Sequence, residues 1–68
     1  MADIPNNIRN ARLAANMRQT DLAEKIGITQ QQIDKIEHGQ RVVDFPTVIR
    51  IAKATGVTLD ELAKEEKV

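Results

Sequence analysis

Three consecutive glutamines, Gln30-Gln31-Gln32, are followed by Asp34, Lys35 and His38. A glutamine carboxamide presents a donor beside an acceptor, which complements the N6/N7 edge of adenine in the major groove of a DNA duplex. A lysine one turn further on reaches guanine O6/N7 or a phosphate. On a helix, positions 30, 31, 34, 35 and 38 fall on the face opposite Ile33 and Ile36. Gln30, Gln31 and Lys35 are therefore candidate base contacts, and a good bidentate contact contributes about 1–3 kcal/mol of discrimination. Asp34 is awkward there. It repels phosphate unless it accepts from cytosine N4 or pairs with Lys35 or His38. The plain alternative is a solvated polar face with no ligand.

Other chemistries find little support. The chain has no Ser, Cys, Tyr or Trp and a single histidine. Disulfides and thiolate metal sites are excluded, and an all-protein zinc site has too few ligands. No nucleophile–base pair can be assembled, so an enzyme is not expected, nor is a cofactor. Ten basic and ten acidic residues cancel. Their distribution is uneven: residues 9–53 carry eight Lys/Arg against five Asp/Glu, and residues 54–68 carry two against four. A mildly basic body with an acidic end fits a one-sided anion-binding face, and equally a mixed solvated surface. No apolar run could span a membrane, and Met1–Pro5 does not read as a signal peptide. The expectation is one cytoplasmic domain over residues 1–68, with a core supplying roughly 3–5 kcal/mol.

The elements that must position the glutamines are helical. Four pairs of apolar residues five apart form staples at helix entrances: Met17 with Leu22, Ile28 with Ile33, Val43 with Val48, and Val57 with Leu62. Between them lie the caps. Thr29 with Gln32 and Thr58 with Glu61 have capping-box spacing, so Gln32 takes a structural role. Asp44 is a good cap with Pro46 in the first turn, and Asp3-Ile4-Pro5 repeats that pattern. Arg18 is a poor cap, relieved by Asp21 in the first turn. Gly27, Gly39, Gly56 and Asn16 supply the stops. Five helices are predicted, at about 4–15, 19–26, 30–38, 45–55 and 59–66. Their inward stripes are Ile4, Ile8, Ala11 and Ala15; Leu22, Ala23 and Ile26; Ile33 and Ile36; Phe45, Val48, Ile51, Ala52 and Thr55; and Leu59 and Leu62.

Helices two and three are joined only by Gly27-Ile28-Thr29, which makes residues 19–38 a helix-turn-helix candidate. A small residue is needed where the helices cross, and Ala23 stands there. Gln19-Thr20-Asp21-Leu22-Ala23-Glu24-Lys25-Ile26-Gly27-Ile28-Thr29, Ile33-Asp34-Lys35-Ile36-Glu37-His38-Gly39 and Ile51 through Leu62 together resemble the Xre-type helix-turn-helix regulators of the phage repressor and Cro class. The resemblance runs from about Ile4 to Leu62. It implies an all-α, five-helix, lambda-repressor-like domain whose third helix enters the major groove.

The resemblance also implies roles for single residues. Gln19 matches a glutamine that contacts phosphate at the start of helix two, and Arg18, Thr29, His38, Gln40 and Arg41 surround the expected phosphate face. Arg18 departs from the Ser or Thr usual there; it weakens the cap but adds a positive charge. His38 reads either as a pH-sensitive phosphate contact or as a helix-end histidine favoured by the dipole. Arg12 and Glu37 match an ion pair joining helices one and three. A single unit reads only a few base pairs, so a homodimer on half-sites about 34 Å apart is expected, as a transcriptional repressor. Self-association would use the loop after helix three, helix five and the tail, with Leu59 and Val68 as exposed apolar candidates. The rival reading is a protein-interaction module on the same scaffold, an antitoxin or anti-regulator, whose partner docks on the acidic end at Asp60, Glu61, Glu65 and Glu66.

Overall fold

A computed structural model describes residues 3–65, which form five helices: α1 (Ile4–Ala14), α2 (Gln19–Ile26), α3 (Gln30–Glu37), α4 (Phe45–Thr55) and α5 (Leu59–Ala63). Among the described residues there is no strand. No helix is long and apolar enough to cross a membrane.

The helix starts follow the caps. Asp3, Thr29, Asp44 and Thr58 each accept from the backbone N–H three residues on, at 3.2, 3.1, 3.3 and 3.1 Å. The box at Thr29 is complete, because Gln32 Oε1 accepts from Thr29 N–H at 2.9 Å. The box at Thr58 is half built: Glu61 turns instead to Lys64 Nζ, 3.3 Å away. Arg18 has no acceptor of its own, and Asp21 compensates by accepting from Arg18 N–H at 2.9 Å. At the other ends, Asn16 has φ 62° and Gly27 φ 77°. Gly27 is required for that angle alone, since a Cβ there would meet nothing within 4 Å.

The five fully buried large side chains come one from each helix: Ile8, Leu22, Ile33, Ile51 and Leu62. Each such burial contributes about 1.5–3 kcal/mol. Ala23 and Ala52 fill the close approaches between helices, and Met17, Ile28, Val43 and Val57 pack on the core from the connecting segments. Those four are the leading members of the expected staples. Two residues of the inward stripes lie outside, of which Leu59 is also an exposed apolar candidate for self-association. Phe45 is 66% exposed and Leu59 is 39% exposed. Both are first residues of their helices, where the chain is still entering the bundle. Val43 and Val57, which precede the caps, do the packing at those corners instead.

Helix α5 stops at Ala63, before its predicted end, and a buried asparagine accounts for it. Asn7, 6% exposed on α1, donates through Nδ2 to the carbonyls of Leu62 and Lys64, both at 2.9 Å. Lys64 is thereby held extended, with ψ 143°. A helix cannot continue through that angle.

The cap at Asp44 gives a pH dependence. Its carboxyl is held below the ordinary value of 3.8, first by the Thr47 hydroxyl and further by backbone N–H donation and the Arg50 charge, against desolvation. A depressed folded value means the stabilisation is complete above the unfolded value and is lost as pH falls through the folded one. Asp21, lowered mainly by the Arg18 side chain, acts with the same sign. Tm should therefore fall below about pH 4, the ordinary carboxylate range. Asp44→Asn, which can still cap Thr47, should give a shallower fall. Superimposable Tm–pH profiles for the two proteins would refute this.

Candidate nucleic-acid interface

The turn between α2 and α3 is set by backbone geometry. The Ala23 carbonyl accepts from both Gly27 and Ile28 N–H, at 2.9 and 3.0 Å. Ala23 itself is buried, so its missing bulk lets the two helices approach. Ile33 and Ile36 lie in the core, which turns the opposite face of α3 to solvent. Gln30, Gln31 and Lys35 are all exposed on it.

Behind that face a chain of polar contacts runs from α1 to the first residue of α3. Arg12 grips Glu37 with two parallel bonds, Nε to Oε2 at 2.7 Å and Nη2 to Oε1 at 2.9 Å. The two side chains are 9% and 2% exposed. Arg12 Nη1 also donates to the Met17 carbonyl at 2.9 Å, tying down the loop before α2. Hydrogen bonding to Glu37 holds the Arg12 guanidinium above its ordinary pKa, against desolvation that pulls the other way. Gln19 Nε2 donates to Glu37 Oε1 and to Asp34 Oδ1, both at 3.2 Å. Gln19 Oε1 in turn accepts from Gln30 Nε2 at 2.6 Å. The orientation of the Gln19 amide is thus forced. Reversing it would set an oxygen against two carboxylates and abolish the acceptor that Gln30 uses. Gln30 keeps one N–H and its Oε1 free, one donor and one acceptor.

The expected site residues fall into neighbouring groups. Gln30, Gln31, Lys35 and Gln40 share one shallow groove with Asp34. Gln19, His38, Arg12 and Glu37 line a second cleft. Arg41 lies apart, beside Val42 and Thr47. Arg18 is exposed but shared with Asp21, Nε to Oδ2 at 3.2 Å. Thr29 Oγ1 accepts from Gln32 N–H, which leaves its hydroxyl proton free to donate. His38 Nδ1 is 2.8 Å from the Asp34 carbonyl and 3.3 Å from Asp34 Oδ1, two acceptors that favour a proton on that nitrogen. Both side-chain N–H groups of Gln19 are engaged within the protein, so the N–H it keeps free is the backbone one at the start of α2.

Sequence reasoning missed Arg9, an exposed cation on α1 that lines the same cleft as His38. Its three-residue spacing from Arg12 was a usable signal, because both then lie on one side of α1. No group of residues able to hold a metal ion occurs among the described residues. Of the features expected to meet a protein partner, Leu59, Asp60, Glu61 and Glu65 are exposed, while Glu66 and Val68 lie outside the described residues.

A family model described as helix-turn-helix matches residues 8–62. The HTH-type transcriptional regulator YqaE of Bacillus subtilis is 35% identical over 60 residues, 88% of this chain and 52% of that protein. The cryptic phage CTXphi transcriptional repressor RstR of Vibrio cholerae is 32% identical over 59 residues, 87% of this chain and 53% of the repressor. The restriction-modification controller protein C.AhdI of Aeromonas hydrophila superposes with a TM-score of 0.84 at 26% identity, covering 90% of this chain and 88% of that one. The chain spans about half the length of the two curated relatives.

Proposed function

The chain belongs to the helix-turn-helix family of transcriptional regulators, and from that premise we propose that it binds double-stranded DNA sequence-specifically, as a homodimeric repressor on a two-fold operator. The observation that carries the reading is the anchored amide of Gln30. Held by Gln19 at 2.6 Å, it offers outward the one donor and one acceptor that the adenine N6/N7 edge requires. Gln31 and Lys35 extend the readout along the groove. Arg9, Arg18, Thr29, His38, Gln40 and Arg41, with the Gln19 backbone N–H, supply phosphate contacts that fix register without reading sequence.

The test is selection of bound duplexes from a random pool, followed by affinity measurements across a salt series. A sharp consensus with inverted half-sites is expected, together with an affinity that falls steeply as salt rises. Each phosphate contact contributes about 0.9 to the slope of log K against log salt. Arg41 has no ion-pair partner among the described residues. Arg41→Ala should therefore weaken all duplexes alike. It should flatten the slope by roughly two in a homodimer and by roughly one in a monomer. A salt-independent affinity would refute the reading.

The exposed acidic residues Asp60, Glu61 and Glu65 favour a second reading, a protein-interaction module whose partner is basic. Absence of any mobility shift at low salt, on DNA upstream of the chain's own gene and on the random pool, would favour it over the first.

A further inference from the structure

Asp34 is the one acidic side chain on the outer face of α3, and no Lys or Arg among the described residues pairs with it. Its side chain is 47% exposed and opens on the groove that holds Gln30, Gln31, Lys35 and Gln40. One oxygen is occupied: Oδ1 accepts from Gln19 Nε2 at 3.2 Å and lies 3.3 Å from His38 Nδ1. No donor among the described residues reaches Oδ2. The carboxylate is also held in place. Turning it toward Lys35 would leave a Gln19 N–H without its acceptor.

A fixed carboxylate on a surface that meets DNA has few favourable neighbours. It is acceptor only, so phosphate oxygens repel it. Guanine offers it N7 and O6, both acceptors, and thymine offers O4 and a methyl group. Adenine pairs its N6 amino group with the N7 acceptor beside it. Cytosine alone presents an amino group, N4, with no acceptor next to it on that base. Building on the reading of α3 as a DNA-reading helix, we infer that Asp34 is a specificity-determining residue whose free Oδ2 accepts from cytosine N4. Discrimination comes as much from rejection as from attraction: guanine or thymine at that place sets acceptor against acceptor, a desolvated mismatch that lowers affinity for the wrong sequence. The apparent misfit of a negative charge on this face is thereby its function.

The experiment is duplex selection with the wild-type chain, Asp34→Asn and Asp34→Ala, each first checked for an unchanged helical melting transition. The wild type should enrich cytosine at one position per half-site, and replacing that base should weaken binding roughly five- to a hundredfold. In both variants the cytosine enrichment should disappear while the preferences assigned to Gln30 and Gln31 persist. The carboxamide introduced by Asp34→Asn is free to acquire adenine, which the alanine variant cannot, so a new adenine preference confined to the first variant also supports the assignment. Both variants should bind the duplexes lacking that cytosine more tightly than the wild type does. Cytosine enrichment retained in both variants, or none in a wild type that is otherwise selective, would overturn the role of Asp34 and leave the DNA reading standing. A wild type with no base preference at all would overturn both.

Discussion

Arg12→Met is expected to lower the stability of the domain by about 3–5 kcal/mol, the cost of breaking a buried ion pair from one side. Glu37 would be left 2% exposed with its charge uncompensated. The Met17 carbonyl would lose its donor as well. For a domain of this size Tm moves roughly 4–8 °C per kcal/mol, so the transition should fall by more than about ten degrees. A chain with total stability at the low end of the usual range of about 5–15 kcal/mol would keep only about 0–2 kcal/mol, at or close to its unfolding midpoint at ordinary temperature. Removing both charges together should be far milder. In Arg12→Met with Glu37→Leu no bare carboxylate remains, and apolar replacement of a whole buried pair is often neutral or better. Urea unfolding of the two single variants and the double variant measures the coupling directly. Additive losses in the double variant would mean that Arg12 and Glu37 do not act as a pair.

That the pair exists could be anticipated from the sequence only through resemblance. Its partners are 25 residues apart, on helices whose relative placement no local pattern encodes. Local features were legible because each rests on a few adjacent residues. Thr29 with Gln32, Asp44 before Pro46 and Asn16 at a positive φ are all decided within one turn of backbone. The inward stripes failed at Phe45 and Leu59 because period alone does not say whether a helix's first residue has yet entered the bundle. The end of α5 was misplaced for a different reason. Residues 64–66 continue a good helical composition, and the stop comes from Asn7, 55 residues before Leu62 in the chain. For the candidate site, the exposed positions of α3 followed from Ile33 and Ile36 being buried. The anchoring of Gln30 did not, because it passes through Gln19 to two carboxylates of α3 that only the folded turn brings within reach.

The relay from Glu37 through Gln19 to Gln30 carries the second large expected effect. Gln19→Glu replaces an amide nitrogen by an oxygen 3.2 Å from the carboxylates of both Asp34 and Glu37. Three acidic groups cannot share that space with one arginine already committed to Glu37. The new side chain must take up a proton or swing outward, where it meets the phosphates the surface is expected to bind. Swung outward, it leaves Gln30 without the fixed acceptor at 2.6 Å that orients its amide, and the amide is free to turn over; only a protonated carboxyl kept in place would still accept from Gln30 through its carbonyl oxygen. Affinity should fall at least roughly tenfold on every duplex, about 1.4 kcal/mol, and the base preference assigned to Gln30 should relax at the same time. Gln30→Ala separates the two effects. It should relax the same preference by about 1–3 kcal/mol while leaving affinity for other duplexes and the melting transition nearly unchanged. Binding isotherms on the selected duplex and on its single-base variants decide between relay and plain repulsion. If Gln19→Glu weakened all duplexes equally and kept the Gln30 preference intact, Gln19 would be an electrostatic contact only, and the orientation of Gln30 would have to come from the DNA itself.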